Sequence, residues 1–271
     1  MIAIIAALDV ELSPLERRAK AKRCPSPPWP PTREGTLAGR QVLVARTGMG
    51  SARAQEATSA LIQHHSPEAI LSIGLAGSLT DELRVGHLVI ARQVYALHEP
   101  FHEGPLAASN GLACDPALVE LAVAAARQRR LAFREGVSLT VPQVIDQPEV
   151  KRRIGDSLPV EMVEMESYWV GRVAADQGIP FLIVRVILDE LGDRLPDLPN
   201  TVDETGAIAR SRALRHLLSR PGQIPALVRL AVNTRRASQR LAVFAEAFVG
   251  SWPPRIIPGV KNERDSTENR R

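Results

Sequence analysis

The chain has 271 residues, 45% of them hydrophobic, and a formal net charge of +4, enough apolar material for one α/β core of ordinary size. No run of 18 consecutive apolar residues is present, which argues against a membrane-spanning helix. Met1 to Leu8 lead straight into Asp9 and Glu11 without the basic start of a secretory leader.

The charge is uneven. Residues 206–248 hold eight arginines against Glu246 alone, whereas residues 1–205 sum to −5. An acidic body with a basic C-terminal portion fits a polyanionic partner surface, membrane or nucleic acid, and the competing reading is a plainly solvated helical face. Cys24 and Cys114 form no motif and fit ordinary thiols of a cytoplasmic protein.

In chain order, residues 2–8 predict a short apolar strand, and Ser13-Pro14 predict a helix start, since Ser caps and Pro suits the first helical position. Residues 24–31 contain five prolines and predict a surface loop carrying Trp29, because proline removes the amide donors of helix and sheet. Strands are expected at 41–46, 69–73, 85–91, 136–145 and 180–188, with helices at 51–64, 116–130 and 164–177. That alternation implies a largely parallel, covered sheet.

Residues 191–205 read as loop. Residues 207–219 and 224–249 read as helices, the second with Leu227, Leu230, Ala231, Leu241, Phe244 and Phe248 on one face and Arg229, Arg236 and Arg240 opposite. From Pro253 onward the low apolar content predicts a disordered tail. The expected organisation is a 1–195 α/β domain, a basic amphipathic helical extension over 196–250 and a tail over 251–271.

Gly48-Met49-Gly50 after one strand and Gly74 to Ser78 at the end of another predict tight turns where backbone approaches a ligand. His98-Glu-Pro-Phe-His102 has the letters of a zinc-protease motif, but Pro100 would break the helix that both imidazoles need. Glu11, Glu166 and Asp189 each close a separate β/α unit; any one of them would pass for a simple terminal acid, but together they suggest acid/base chemistry in one pocket.

These pieces resemble the nucleoside phosphorylase superfamily, in particular its methylthioadenosine/S-adenosylhomocysteine nucleosidase branch. The resemblance rests on Ile2 to Glu11, Thr47-Gly-Met-Gly50, Ser72 to Gly77, Leu83 to Val89, Val163-Glu-Met-Glu-Ser167 and Pro180 to Asp189. Residues 220–227, Arg-Pro-Gly-Gln-Ile-Pro-Ala-Leu, are similar to the subgroup called hopanoid-associated phosphorylases, thought to remove adenine from adenosylhopane. The resemblance implies a three-layer α/β/α sandwich around a mixed sheet that curls into a distorted barrel.

It also implies cleavage of a purine N-ribosidic bond, with Asp189 protonating the purine N7, Glu166 accepting the ribose hydroxyls and Glu11 directing water. Met165, Glu164, Val144, Gly77 and Gly74 would contact substrate, and Gly48, Gly50 and Ala76 would border the nucleophile. Leu75 and Leu188 stand where relatives carry hydroxyls, and Gln143-Val144 where an aromatic stacks on the base. No metal or cofactor is expected, and phosphate stays open as co-substrate. The expected partners are a small-molecule or lipid-linked nucleoside, a peripheral contact with the inner membrane surface through residues 206–250, and a second copy of the chain, with no nucleic acid.

Overall fold

The computed structural model describes residues 1–25, 29–99, 106–196 and 224–253; His102, the expected helix at 207–219 and the tail beyond Pro253 lie outside them. The first half runs β1 (Ile2–Ala6), α1 (Asp9–Arg18), β2 (Lys22–Arg23), β3 (Thr32–Leu37), β4 (Arg40–Arg46), α2 (Ser51–His65), β5 (Ala69–Ser78), β6 (Leu88–Ala96) and β7 (Leu112–Ala113). It continues with α3 (Pro116–Gln128), β8 (Phe133–Thr140), α4 (Pro148–Ser157), β9 (Met162–Glu164), α5 (Ser167–Asp176), β10 (Phe181–Asp189) and α6 (Ile224–Gly250).

The strands form one mixed sheet in the order β10-β6-β8-β9-β5-β1-β4-β3-β2, with β7 on β6. β10 also pairs with β5, so β5, β10, β6, β8 and β9 close into a ring, the distorted barrel expected from the resemblance. β1, β4, β5 and β10 pair in parallel; their apolar, β-branched runs are buried almost throughout, as strands covered on both faces must be. Antiparallel ladders enter at β6–β10 and β5–β9, and at the β3–β4 hairpin. Helices α1 and α3 each pack on α6, and α2 packs on α5.

Several local expectations shift. Helix α1 begins at Asp9, not after Ser13, and Pro14 sits inside it; the start is set by the Glu11 carboxylate, which accepts the Leu8 N–H at 2.8 Å. The acidic stretch at 163–166 is not helical: Glu164 ends the short strand β9 and Glu166 stands at the N-cap position of α5. β3 and α4 were not foreseen.

The largest change concerns α6. Ala237, Leu241, Phe244, Phe248 and Val249 are buried in the same core as the sheet, so over this half the expected extension is an integral layer of the α/β domain. Arg240 donates to the Gly86 carbonyl, beside the carboxyl half of β10, where Gly86 N–H meets Ile187 O. At the far end, Gly250 lies against Ala38 and Trp252 O accepts from Arg40, at the amino end of β4. The first turns of α6 therefore lead on beyond the Arg240 contact, with Ile224, Val228 and Val232 exposed. Among the described residues no helix is long and apolar enough to cross a membrane.

Candidate active site

Ligands of α/β folds sit off the carboxyl ends of the strands, and here β1, β4, β5, β9 and β10 deliver their following residues to one cavity of about 210 Å³. Glu11, Glu166 and Asp189, far apart in sequence, all line it, as do Glu164, Met165, Val144, Ala76 and Gly77. The remaining wall is strongly apolar, with Leu8, Met49, Leu75, Ile145, Leu188 and Leu195.

Glu11 is 5% exposed. One oxygen accepts the Leu8 N–H and the other the Leu75 N–H at 3.0 Å, so α1 and β5 aim it jointly. Burial raises its pKa, against the opposing pull of these amides and of Arg185. A Cβ at Gly74 would lie 3.1 Å from Glu11 Oε1 and 3.3 Å from Arg185 Nε; Gly74 thus shapes the site by making room, without lining the cavity.

Glu166 stands at the N-cap position of α5, and its carboxyl accepts the Gly50 N–H at 3.0 Å. Burial first, then the neighbouring Glu164 charge, pushes its pKa up to about 8. Gly48 and Gly50 have φ of 78° and 87°, a left-handed backbone that suits glycine. The turn they form places Met49, rather than either glycine, in the wall.

Glu164, in the same wall, is held by protein donors. Its oxygens accept from Thr140 Oγ1, Ser167 Oγ (2.8 Å), the Glu166 and Ser167 amides (3.0 and 2.8 Å) and Arg185 (3.1 Å). Four of these donors converge on Oε2 and only Thr140 on Oε1, so Glu164 braces the wall of which it is part. Arg185 in turn donates to Ser72 O, Ser72 Oγ and Ser167 Oγ, tying β5, β9, α5 and β10 together beneath the cavity floor.

Asp189 ends β10 opposite Gly77, where a Cβ would lie 3.0 Å from its Oδ2. It is 5% exposed, and its Oδ2 accepts a hydrogen bond from the ammonium of Lys151, which is fully buried. Burial raises its pKa and Lys151 opposes the rise.

The basic and hydroxyl side chains that phosphate would need are turned elsewhere. Arg46 pairs with Asp9 at 2.7 Å, Arg53 sits over the Trp29 ring, and Thr47 Oγ1 donates to backbone carbonyls. No lysine or arginine lines the cavity among the described residues. His98 packs edge-on against Tyr168 and Trp169. Sequence reasoning missed Lys151, Arg185 and Thr140; of these Arg185 carried a signal, as a lone charge inside the apolar run Phe181–Ile187.

The chain has relatives among known proteins. The family model described as "Phosphorylase superfamily" matches residues 1–219. A 5′-methylthioadenosine/S-adenosylhomocysteine nucleosidase of Shewanella piezotolerans is 30% identical over 169 residues, 59% of this chain and 73% of that protein. The crystal structure of the nucleosidase of the same name from Neisseria meningitidis, in complex with methylthio-immucillin-A, superposes with a TM-score of 0.72 at 21% identity, covering 93% of this chain and 99% of that one. A native futalosine hydrolase structure from Helicobacter pylori gives 0.73 at 19%, covering 93% and 97%. At these identities the two structures speak for the fold alone.

Proposed function

Since the chain belongs to the phosphorylase superfamily, we propose that it hydrolyses the N-ribosidic bond of an adenosine-type nucleoside and releases adenine. The observation that carries this reading is the convergence of Glu11, Glu166 and Asp189 on one cavity without a lysine or arginine in its described wall. The relatives named as nucleosidases of 5′-methylthioadenosine and S-adenosylhomocysteine support it.

In this reading Asp189, whose proton is held more tightly than usual, gives that proton to the purine N7 as the electron pair of the C1′–N9 bond moves onto the base. Adenine thus leaves neutral. Glu166 accepts the ribose 2′- and 3′-hydroxyls and fixes the sugar while positive charge develops at C1′. Glu11 takes a proton from a water whose oxygen bonds to C1′. Phosphate as nucleophile would ask for cationic or hydroxyl donors, and the candidates Arg46, Thr47 and Arg53 are engaged with protein groups.

The apolar wall of Leu8, Met49, Leu75, Val144, Ile145, Leu188 and Leu195 favours a nucleoside with an apolar 5′ substituent, and adenosylhopane is the substrate to which the sequence resemblance points. Val144 is 56% exposed, so the apolar lining continues to the cavity mouth. The projecting half of α6 adds Ile224, Val228 and Val232 beside Arg229, Arg235 and Arg236, a composition suited to an anionic lipid surface.

The test is to incubate the protein with methylthioadenosine, S-adenosylhomocysteine and adenosylhopane, with and without phosphate, and follow adenine. Release without phosphate is expected, fastest for the apolar 5′ substituents. Release only with phosphate would make the enzyme a phosphorylase, and no release from any of the three would overturn the reading.

A further inference from the structure

Lys151 is fully buried, and its ammonium gives hydrogen bonds to three acceptors: Asp189 Oδ2, the Glu190 carbonyl at 2.9 Å and the Asp193 carbonyl at 3.1 Å. An ammonium has three protons, so it is saturated. Its neighbours on the buried face of α4, Pro148 and Ile154, are apolar. An interior ammonium is costly to desolvate and an apolar side chain of similar volume commonly replaces a buried ion pair without loss of stability. The cation's two carbonyl bonds fix it to the loop after β10, and the third points it at the Asp189 carboxyl.

We propose that Lys151 is a positioning residue for adenine release, holding the Asp189 carboxyl in place and receiving the negative charge that appears on it when its proton leaves. The inference rests on the function proposed above. In the step, the Asp189 O–H bond breaks and an N–H bond forms on the base; Lys151 keeps all three protons and the new carboxylate is born beside a cation. The proton that Glu11 takes from water restores Asp189 through solvent after the products leave.

Other charges around the pair do not duplicate this role. Asp193 raises the Asp189 pKa and its carboxylate accepts the Glu190 N–H. Glu190 accepts the Val85 N–H and faces Arg84, Glu149 faces Arg194, and Arg152 lies beside Gly192. From the cavity side come Glu11, Glu164 and Glu166, with Arg185 held by Glu164.

The experiment compares wild type, Lys151→Met and Lys151→Arg for adenine release from methylthioadenosine between roughly pH 5 and 10. For Lys151→Met, kcat should fall about 100-fold with KM changed less than about threefold. Its alkaline limb should move up by about one pH unit or more, because an acid without its cation holds its proton more tightly. Lys151→Arg should keep the limb in place.

An unmoved limb in Lys151→Met, or an equal loss in both variants, would overturn the inference while leaving the function standing. A wild type silent toward methylthioadenosine, S-adenosylhomocysteine and adenosylhopane alike would remove both. Should Lys151→Met fail to fold, ¹⁵N-lysine NMR of the wild type decides: of four lysines, one ammonium resonance should be protected from exchange and should shift in Asp189→Asn. The absence of a protected resonance would overturn it equally.

Discussion

The guanidinium of Arg185 and the carboxylate of Glu164 meet at 3.1 Å with their side chains 4% and 2% exposed, so neither has water to fall back on. Removing the charge of one strands the other in the interior, which costs roughly 3–5 kcal/mol. Glu164→Gln, which keeps the shape, should lower the melting temperature markedly in a circular-dichroism melt. A variant that melts with the wild type would refute the bracing role.

Asp189 is the proposed proton donor and also the partner of Lys151. Asp189→Asn should reduce adenine release by about 10³-fold, at the level expected for loss of general acid catalysis. Calorimetric titration with methylthioadenosine should still show binding, since the rest of the wall is untouched. Loss of binding together with activity would mean that Asp189 shapes the cavity instead.

For Glu166 the folded protein favours the neutral acid, whose pKa rises from 4.5 to about 8. The stability this contributes is complete below about 4.5 and is lost as pH climbs through about 8. Glu166→Gln, neutral at every pH, should therefore gain on the wild type as the buffer becomes alkaline across that window. The amide keeps an acceptor for Gly50 N–H but cannot ionise against the charge developing at C1′, so adenine release should fall. Parallel melting curves at all pH values would contradict the assigned ionisation.

Gly77 leaves just enough room for the acid. An alanine methyl would stand 3.0 Å from Asp189 Oδ2 and 3.4 Å from Val163 Cγ1, closer than a carboxylate tolerates without moving. Gly77→Ala should lower kcat by about tenfold through misplacement of the proton donor, with little effect on secondary structure by circular dichroism. Full activity would show that Asp189 has slack to spare.

The projecting turns of α6 give a surface prediction. The triple change Val228→Asp, Arg229→Glu and Arg235→Glu touches only exposed positions and should leave the melting temperature in place. Co-sedimentation with anionic vesicles should be strong and salt-sensitive for the wild type and absent for the variant. Deleting the whole helix would be uninformative, because Leu241, Phe244 and Phe248 are core.

How far the sequence was readable follows from what each element reports locally. Runs such as Ile2–Ala6 and Phe181–Asp189 announce buried strands by themselves, and acids closing such runs stand out because the chain before them is apolar. That made Glu11 and Asp189 visible. β3 was missed because Thr32–Leu37 buries only its two ends, giving no alternation to detect.

Lys151 was missed for a related reason. With Arg152 and Arg153 it looks like a solvated basic turn, and its burial depends on a loop about forty residues away. The apolar stripe of α6 was read correctly as a stripe, but no local pattern distinguishes a face that meets a sheet from one that meets lipid. The distinction between Glu164 and Glu166 was likewise out of reach, since it depends on which carboxylate Arg185 and Thr140 engage.

Helix α6 is continuous from Ile224 to Gly250, and its two halves have different neighbours. Whatever grips the first three turns grips a stiff shaft rooted among the strands, not a slack leash. Attachment there would therefore fix the heading of the molecule as well as its whereabouts, and with it the direction in which the cavity mouth opens.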